Sequence, residues 1–133
     1  MVITQGTHHI GLTVPDIAAT RDFFVNILGF EQIGEEPDCP AYFVSDGTAI
    51  MTRWQAADPA NAVPFDRKNN IGLHHLAFNV KDKDTLNSMY QIMAETEGVS
   101  TEFQPEHSNV GPLQHFMAYI PGGIRMELIS PDK

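Results

Sequence analysis

The residues best suited to chemistry are two pairs of adjacent histidines, His8-His9 in THHIGLTV and His74-His75 in LHHLAFNV, and one glutamate, Glu127, set in the apolar run IRMELI. Imidazole and carboxylate groups bind divalent ions and carry protons near neutral pH. A strand alternates its faces, so reading 7–14 and 73–80 as strands separates the members of each pair. His8 falls with Ile10, Leu12 and Val14, and His74 with Leu76, Phe78 and Val80, which makes both partly buried structural histidines. His9 falls with Gly11 and Thr13, and His75 with Ala77 and Asn79, neighbours that leave space before a ring. Glu127 shares a face with Arg125 and Ile129. A carboxylate there is expensive to bury unpaired, and a cation would be its natural partner. His9, His75 and Glu127 are therefore the candidate metal ligands, a facial triad with open positions.

Such a triad needs elements that aim it, and an internal repeat supplies them. HIGLTVPD is followed by IAATRDFFVNIL and Gly29, and HLAFNVKD by DTLNSMYQIMAETE and Gly98. Asp16, and Asp82 or Asp84, can cap helix starts; the glycines suit helix ends. Ile17, Phe24 and Ile27 or Leu28 make one apolar stripe, and Leu86, Met89, Tyr90 and Met93 the other. Strand-like runs follow at 31–33, 41–45 and 48–54, then at 101–103, 115–120 and 124–129. Asp46-Gly47 and Gly122-Gly123 mark hairpin turns. Each half reads β-α-β-β-β. The fold class is α+β: two βαβββ modules, about 5–54 and 72–131, joined by a linker 55–71 within one domain. Aligning the hairpins on Gly47 and Gly123 makes Met51 the symmetry mate of Glu127 and puts Arg53 with Arg125 on the inward face.

Composition narrows the partners. The chain has 133 residues and is 42% hydrophobic, enough for a real core. A net charge of -9 repels phosphate backbones and anionic membranes, so neither nucleic acid nor membrane is expected as a partner. Cys39 stands alone, which excludes an internal disulfide and a zinc-thiolate site. No signal sequence or membrane span is read, and a cytoplasmic protein is expected.

These motifs, HHIGLTVPD with RDFFVNILGF, LHHLAFNV and PGGIRMELI, resemble the vicinal oxygen chelate superfamily of glyoxalases, bleomycin-resistance proteins, fosfomycin-resistance enzymes, epimerases and extradiol dioxygenases. The resemblance spans Thr7 to Ser130. It implies an open, cup-shaped mixed β-sheet barrel with helices packed outside, and places His9, His75 and Glu127 at the family's metal positions. It also implies a small-molecule substrate that chelates the ion through adjacent oxygens, and a homodimer whose cup lies in one chain or is shared by two. Glyoxalases and epimerases take a fourth ligand, Glu or Gln, from the position read here as Met51, a poor substitute for a hard oxygen. Fosfomycin-type enzymes need a dense basic pocket that this chain lacks. The extradiol enzymes' usual tyrosine is Met117 here.

On these grounds dioxygenase-like chemistry on ferrous iron is favoured, with zinc, nickel, manganese or cobalt as other candidate ions. A glyoxalase-type lyase or isomerase, a glutathione-transferase-like enzyme and a non-catalytic drug-binding protein are the alternatives. His115 and Tyr119 are the acid-base candidates if Met117 faces the cavity, Arg53 and Arg125 the charge-stabilising ones. Phe43 and Met117 would supply apolar walls. His107 falls in the loop PEHSNVGP.

Overall fold

The computed structural model describes all residues from Met1 to Lys133. The chain divides into two compact units, Met1–Ala62 and Val63–Lys133. The first contains β1 (Ile10–Val14), α1 (Ile17–Asp22) continuing into a π-helical coil (Phe23–Ile27), β2 (Glu31–Glu36), β3 (Ala41–Ser45) and β4 (Ile50–Gln55). The second contains β5 (Leu76–Asn79), α2 (Lys83–Ala94), β6 (Ser100–His107), β7 (Leu113–Tyr119) and β8 (Arg125–Pro131). Their sheets have the same topology, β1-β4-β3-β2 and β5-β8-β7-β6. The first strand of each lies parallel to the last, and the other pairings are antiparallel. Each unit is thus the βαβββ module that the repeat predicts.

Both helices begin as the sequence suggests. The Asp16 carboxylate accepts from the Ala19 amide at 3.1 Å and that of Asp82 from Thr85 at 2.8 Å, each satisfying an orphan N–H of the first turn. Beyond its cap, α2 is regular, and it buries Leu86 and Met93 while Tyr90 meets Phe116 edge-on at 5.4 Å. The first module differs. Its helix widens after Asp22, where the Leu28 amide bonds back to the Phe23 carbonyl at 3.3 Å. A wider coil brings adjacent side chains nearer one face, so Phe23 and Phe24 are both buried, with Thr20. The expected stripe of Ile17, Phe24 and Ile27 or Leu28 is thereby shifted: only Phe24 of that set is buried.

Several other boundaries depart from expectation. The strands do not reach back to Thr7 or Leu73 but begin at Ile10 and Leu76, so each histidine pair sits on irregular chain just before its strand. His8 and His74 are accordingly exposed rather than partly buried. β6 continues to His107, which closes a strand instead of lying in a loop.

The register departs furthest from expectation. Ile10 pairs with Met51 as Leu76 pairs with Met126, and Gly11 pairs with Thr52 as Ala77 pairs with Glu127. The mate of Glu127 is therefore Thr52, not Met51. The reason is the β7–β8 turn, 120–124, which has one residue more than the β3–β4 turn, 46–49. Two successive glycines with positive φ, Gly122 (102°) and Gly123 (84°), accommodate it, a conformation other residues adopt only with strain. Because side chains alternate, a slip of one residue exchanges the two faces. Met51 and Arg53 consequently lie beneath the helix with Val44 and Phe24, fully buried, and Gly11, Phe43, Thr52 and Trp54 line the other face.

Candidate functional site

In the second module the face turned away from α2 carries the reactive groups. The pairings Met117–Glu127, His115–Ile129 and Tyr119–Arg125 put all six residues on that face, with Phe116, Ala118, Met126 and Leu128 beneath the helix. Glu127 is only 7% exposed, yet neither oxygen is unpaired. Oε1 lies 2.7 Å from His115 Nδ1 and Oε2 lies 3.1 Å from His75 Nε2. An ionised carboxylate only accepts, so His115 donates to it from Nδ1. The His115 ring rests at 5.2 Å from the Phe103 ring, which orients it. His75 Nδ1 in turn lies 2.7 Å from His74 Nδ1. Desolvation holds His74 below the ordinary histidine pKa, and the His75, Arg125 and Arg67 charges push it the same way. His74, His75, Glu127 and His115 thus stand in one run of polar contacts.

Beside this chain lies a second polar group. Glu102 of β6 accepts from Arg125 Nε at 2.8 Å and Nη2 at 2.7 Å, and from Arg67 Nη2 at 3.2 Å. Arg67 is also hydrogen-bonded with Tyr119, the first cause of its raised pKa. Sequence reasoning missed both Glu102 and Arg67. A signal existed for the first, since Arg125 on a deduced inward face needed a counter-charge; Arg67 lies in the segment read as a linker. His107 Nδ1 is 3.4 Å from Asp132 Oδ2, next to Gln114, which donates to Asp132 Oδ1 at 2.9 Å. That places it in a separate polar contact.

On the equivalent face of the first module the two central strands, β3 and β4, carry no charged side chain. Trp54 Nε1 donates to Thr52 Oγ1 at 3.0 Å. Gly11 lies so close that a Cβ there would stand 3.1 Å from the same oxygen. His8 and His9 pair through their Nδ1 atoms at 2.8 Å, exposed before β1. Arg53 is fully buried on the opposite face, over the Phe24 ring at 5.2 Å, and donates through Nη2 to the Tyr42 carbonyl at 3.2 Å. Its Nε and Nη1 have no partner. Desolvation, with the Arg21 charge second, lowers its pKa to about 10. The inward position expected for Arg53 is thus not what the structure shows.

Of the predicted site residues, the second module brings His75, Glu127 and His115 into contact and sets Tyr119 and Arg125 on the same face. His9 holds the corresponding place in the first module. Neither module alone gathers three His, Cys, Asp or Glu side chains in an arrangement able to hold an ion.

Two related βαβββ modules with a buried glutamate on the closing strand define a class, and comparison with known families names it. The chain belongs to the Glyoxalase/Bleomycin resistance protein/Dioxygenase superfamily, whose model matches residues 6–128. Among known sequences it is similar to "Putative ring-cleaving dioxygenase MhqA" of Bacillus subtilis (strain 168), 30% identical over 135 residues, covering 93% of this chain and 39% of that protein. The chain thus spans about two fifths of that relative's length. It is also 25% identical to the uncharacterized protein YqjT of the same organism, over 94% of this chain and 98% of YqjT. In fold it matches a glyoxylase/bleomycin resistance protein/dioxygenase domain from Frankia sp. EAN1pec, with TM-score 0.79, 19% identity and coverage of 97% and 93%. The fosfomycin resistance protein FosX of Listeria monocytogenes gives TM-score 0.74, 19% identity and coverage of 96% and 94%. No helix is long and apolar enough to cross a membrane.

Proposed function

We propose that the protein is a divalent-metal-dependent enzyme that acts on a small organic molecule chelating the ion through two adjacent oxygens, with ring-cleaving, dioxygenase-like chemistry on ferrous iron. His75 and Glu127 would hold the ion, with His9, the repeat counterpart of His75, as the third ligand, supplied by the same chain or by a second copy in a homodimer. The observation that carries this reading is Glu127: a buried carboxylate held between His75 Nε2 and His115 Nδ1, on the strand where the module closes. Nitrogen and oxygen donors of this kind suit first-row divalent ions. The similarity to the MhqA sequence favours oxygen-using chemistry, and a threonine in place of a first-module carboxylate or amide disfavours a fourth hard ligand. A bound ion would act as a Lewis acid, stabilising negative charge that develops on the substrate oxygens.

The chain's own residues have separable tasks. His115 donates its Nδ1 proton to Glu127 and so keeps Nε2 as a basic atom able to take a proton from the substrate and return it. Arg125, oriented by a Glu102 carboxylate that it shares with Arg67, supplies fixed positive potential on the same face, and Tyr119 lines it. Arg53 has no part in this chemistry.

The test is anaerobic purification with elemental analysis, followed by oxygen uptake over a panel of catechols. The expected result is iron and oxygen consumption, both lost in Glu127→Ala. Retention of zinc, nickel or cobalt without oxygen uptake would replace the oxygen-using reading with lyase or isomerase chemistry, assayed on a glutathione hemithioacetal. Ligand affinity that survives Glu127→Ala while metal uptake is lost would indicate sequestration without turnover.

A further inference from the structure

Each histidine proposed as a ligand is preceded by a second one, and the proposed function leaves that second one unused. The contact between them is the same in both modules. His8 and His9 meet through Nδ1 and Nδ1 at 2.8 Å, their rings at 83° and 5.1 Å. His74 and His75 do so at 2.7 Å, 73° and 5.0 Å. The surroundings differ, since His75 faces Glu127 and the equivalent strand position in the first module is Thr52. Reproduction of one contact in two settings argues against a chance meeting of exposed neighbours.

We infer that His8 and His74 are positioning residues, each holding the ring of the next histidine through Nδ1 so that its Nε2 is the ligating atom. This inference rests on the metal reading above. An imidazole that ligates through Nε2 carries its proton on Nδ1 and needs an acceptor there, and such outer partners set ring orientation and tautomer. Without an ion the requirement reverses. In the second module His75 Nε2 then lies 3.1 Å from a Glu127 oxygen, a contact that favours the proton on Nε2; a neutral His75 so protonated accepts at Nδ1 and its neighbour donates.

Only a side chain that can both donate and accept serves the two states. A carboxylate or a backbone carbonyl cannot donate, and an ammonium cannot accept. Imidazole can, by exchanging which nitrogen is protonated. The proton balance closes: the His74 Nδ1 proton passes to His75 Nδ1, the His75 Nε2 proton leaves to solvent, and His74 takes one from solvent at Nε2. The net charge of the pair is unchanged.

The full chain, labelled with 15N-histidine, tests this in two ways. A 15N–15N coupling across each Nδ1–Nδ1 hydrogen bond is expected in the metal-free protein. On addition of Zn2+, His9 and His75 are expected to show their proton on Nδ1. In parallel, Zn2+ affinity is measured by competition with a chromophoric chelator, with circular dichroism as the fold control. His74→Phe and His8→Phe should each weaken Zn2+ binding about 10–100-fold, and His74→Asn, which keeps an amide able to donate or accept, should recover most of the loss.

Absence of the coupling in the native chain would overturn the inference even if a phenylalanine variant failed to fold. So would phenylalanine variants that bind Zn2+ as tightly as the native protein, and in that case the metal reading stands. A native chain that takes up no divalent ion overturns the metal reading first and the positioning role with it.

Discussion

The two modules share topology, capping aspartates and a paired-histidine entrance, yet their exposed sheet faces have diverged. Where the second module sets Ala77, Glu127 and Ile129 side by side, the first sets Gly11, Thr52 and Trp54. The carboxylate of one is held by two imidazoles; the hydroxyl of the other is occupied by an indole N–H. The helix-covered faces diverge in the opposite sense. Leu128 is an ordinary core residue, but its repeat mate Arg53 is a buried guanidinium with two nitrogens unpartnered. Duplication therefore preserved the framework, while polar chemistry settled on the open side of one half and, without evident use, in the core of the other.

Four substitutions probe that asymmetry. Converting the second face toward the first with Glu127→Thr should weaken divalent-ion binding by at least about a hundredfold, as read by competition with a chelator, because a direct ligand exceeds the 10–100-fold effect of outer partners. Thr52→Val, the reciprocal site, should leave ion binding unchanged. In the cores the contrast concerns stability, measured by denaturant unfolding. Leu128→Ala should cost about 2–5 kcal/mol, as buried leucines usually do, whereas Arg53→Met should gain about 1–3 kcal/mol by removing a desolvated, half-satisfied charge.

The Arg53 effect carries a pH signature. Its folded pKa, about 10, lies below the ordinary arginine value, so the unfolded chain binds more protons between the two. The native protein's deficit against Arg53→Met is then complete below about pH 10 and shrinks as pH rises above it. The smallest change is expected at the helix cap. The Thr85 hydrogen bonds hold Asp82 below its ordinary value, so its contribution is present above the unfolded pKa and lost as pH falls through the folded one. Asp82→Ala should lower the thermal midpoint modestly near neutrality and make little difference in strong acid.

Sequence alone revealed the repeat, the capping aspartates and the face shared by His115, Met117, Tyr119, Arg125 and Glu127, because period-two alternation and turn glycines are local signals. It failed at Met51 and Arg53 for a reason that local signals cannot reveal. The Gly-Gly turn hides which of its residues is extra, and one position decides which face a strand residue occupies. Strict alternation also stops short of the strand entrances, where paired imidazoles bond each other instead of joining the ladder. Glu102 and Arg67 were illegible as a pair because their contact joins a strand to a segment without periodicity.

Trp54 is the single tryptophan of the chain, and its indole is tethered to Thr52 in the module that lacks the carboxylate. Its fluorescence is therefore a built-in reporter of one half only. Red-shifted emission on heating or in denaturant would time the opening of that module without any added label. Set beside a histidine signal from the other, it would reveal whether two halves of common ancestry still melt as one.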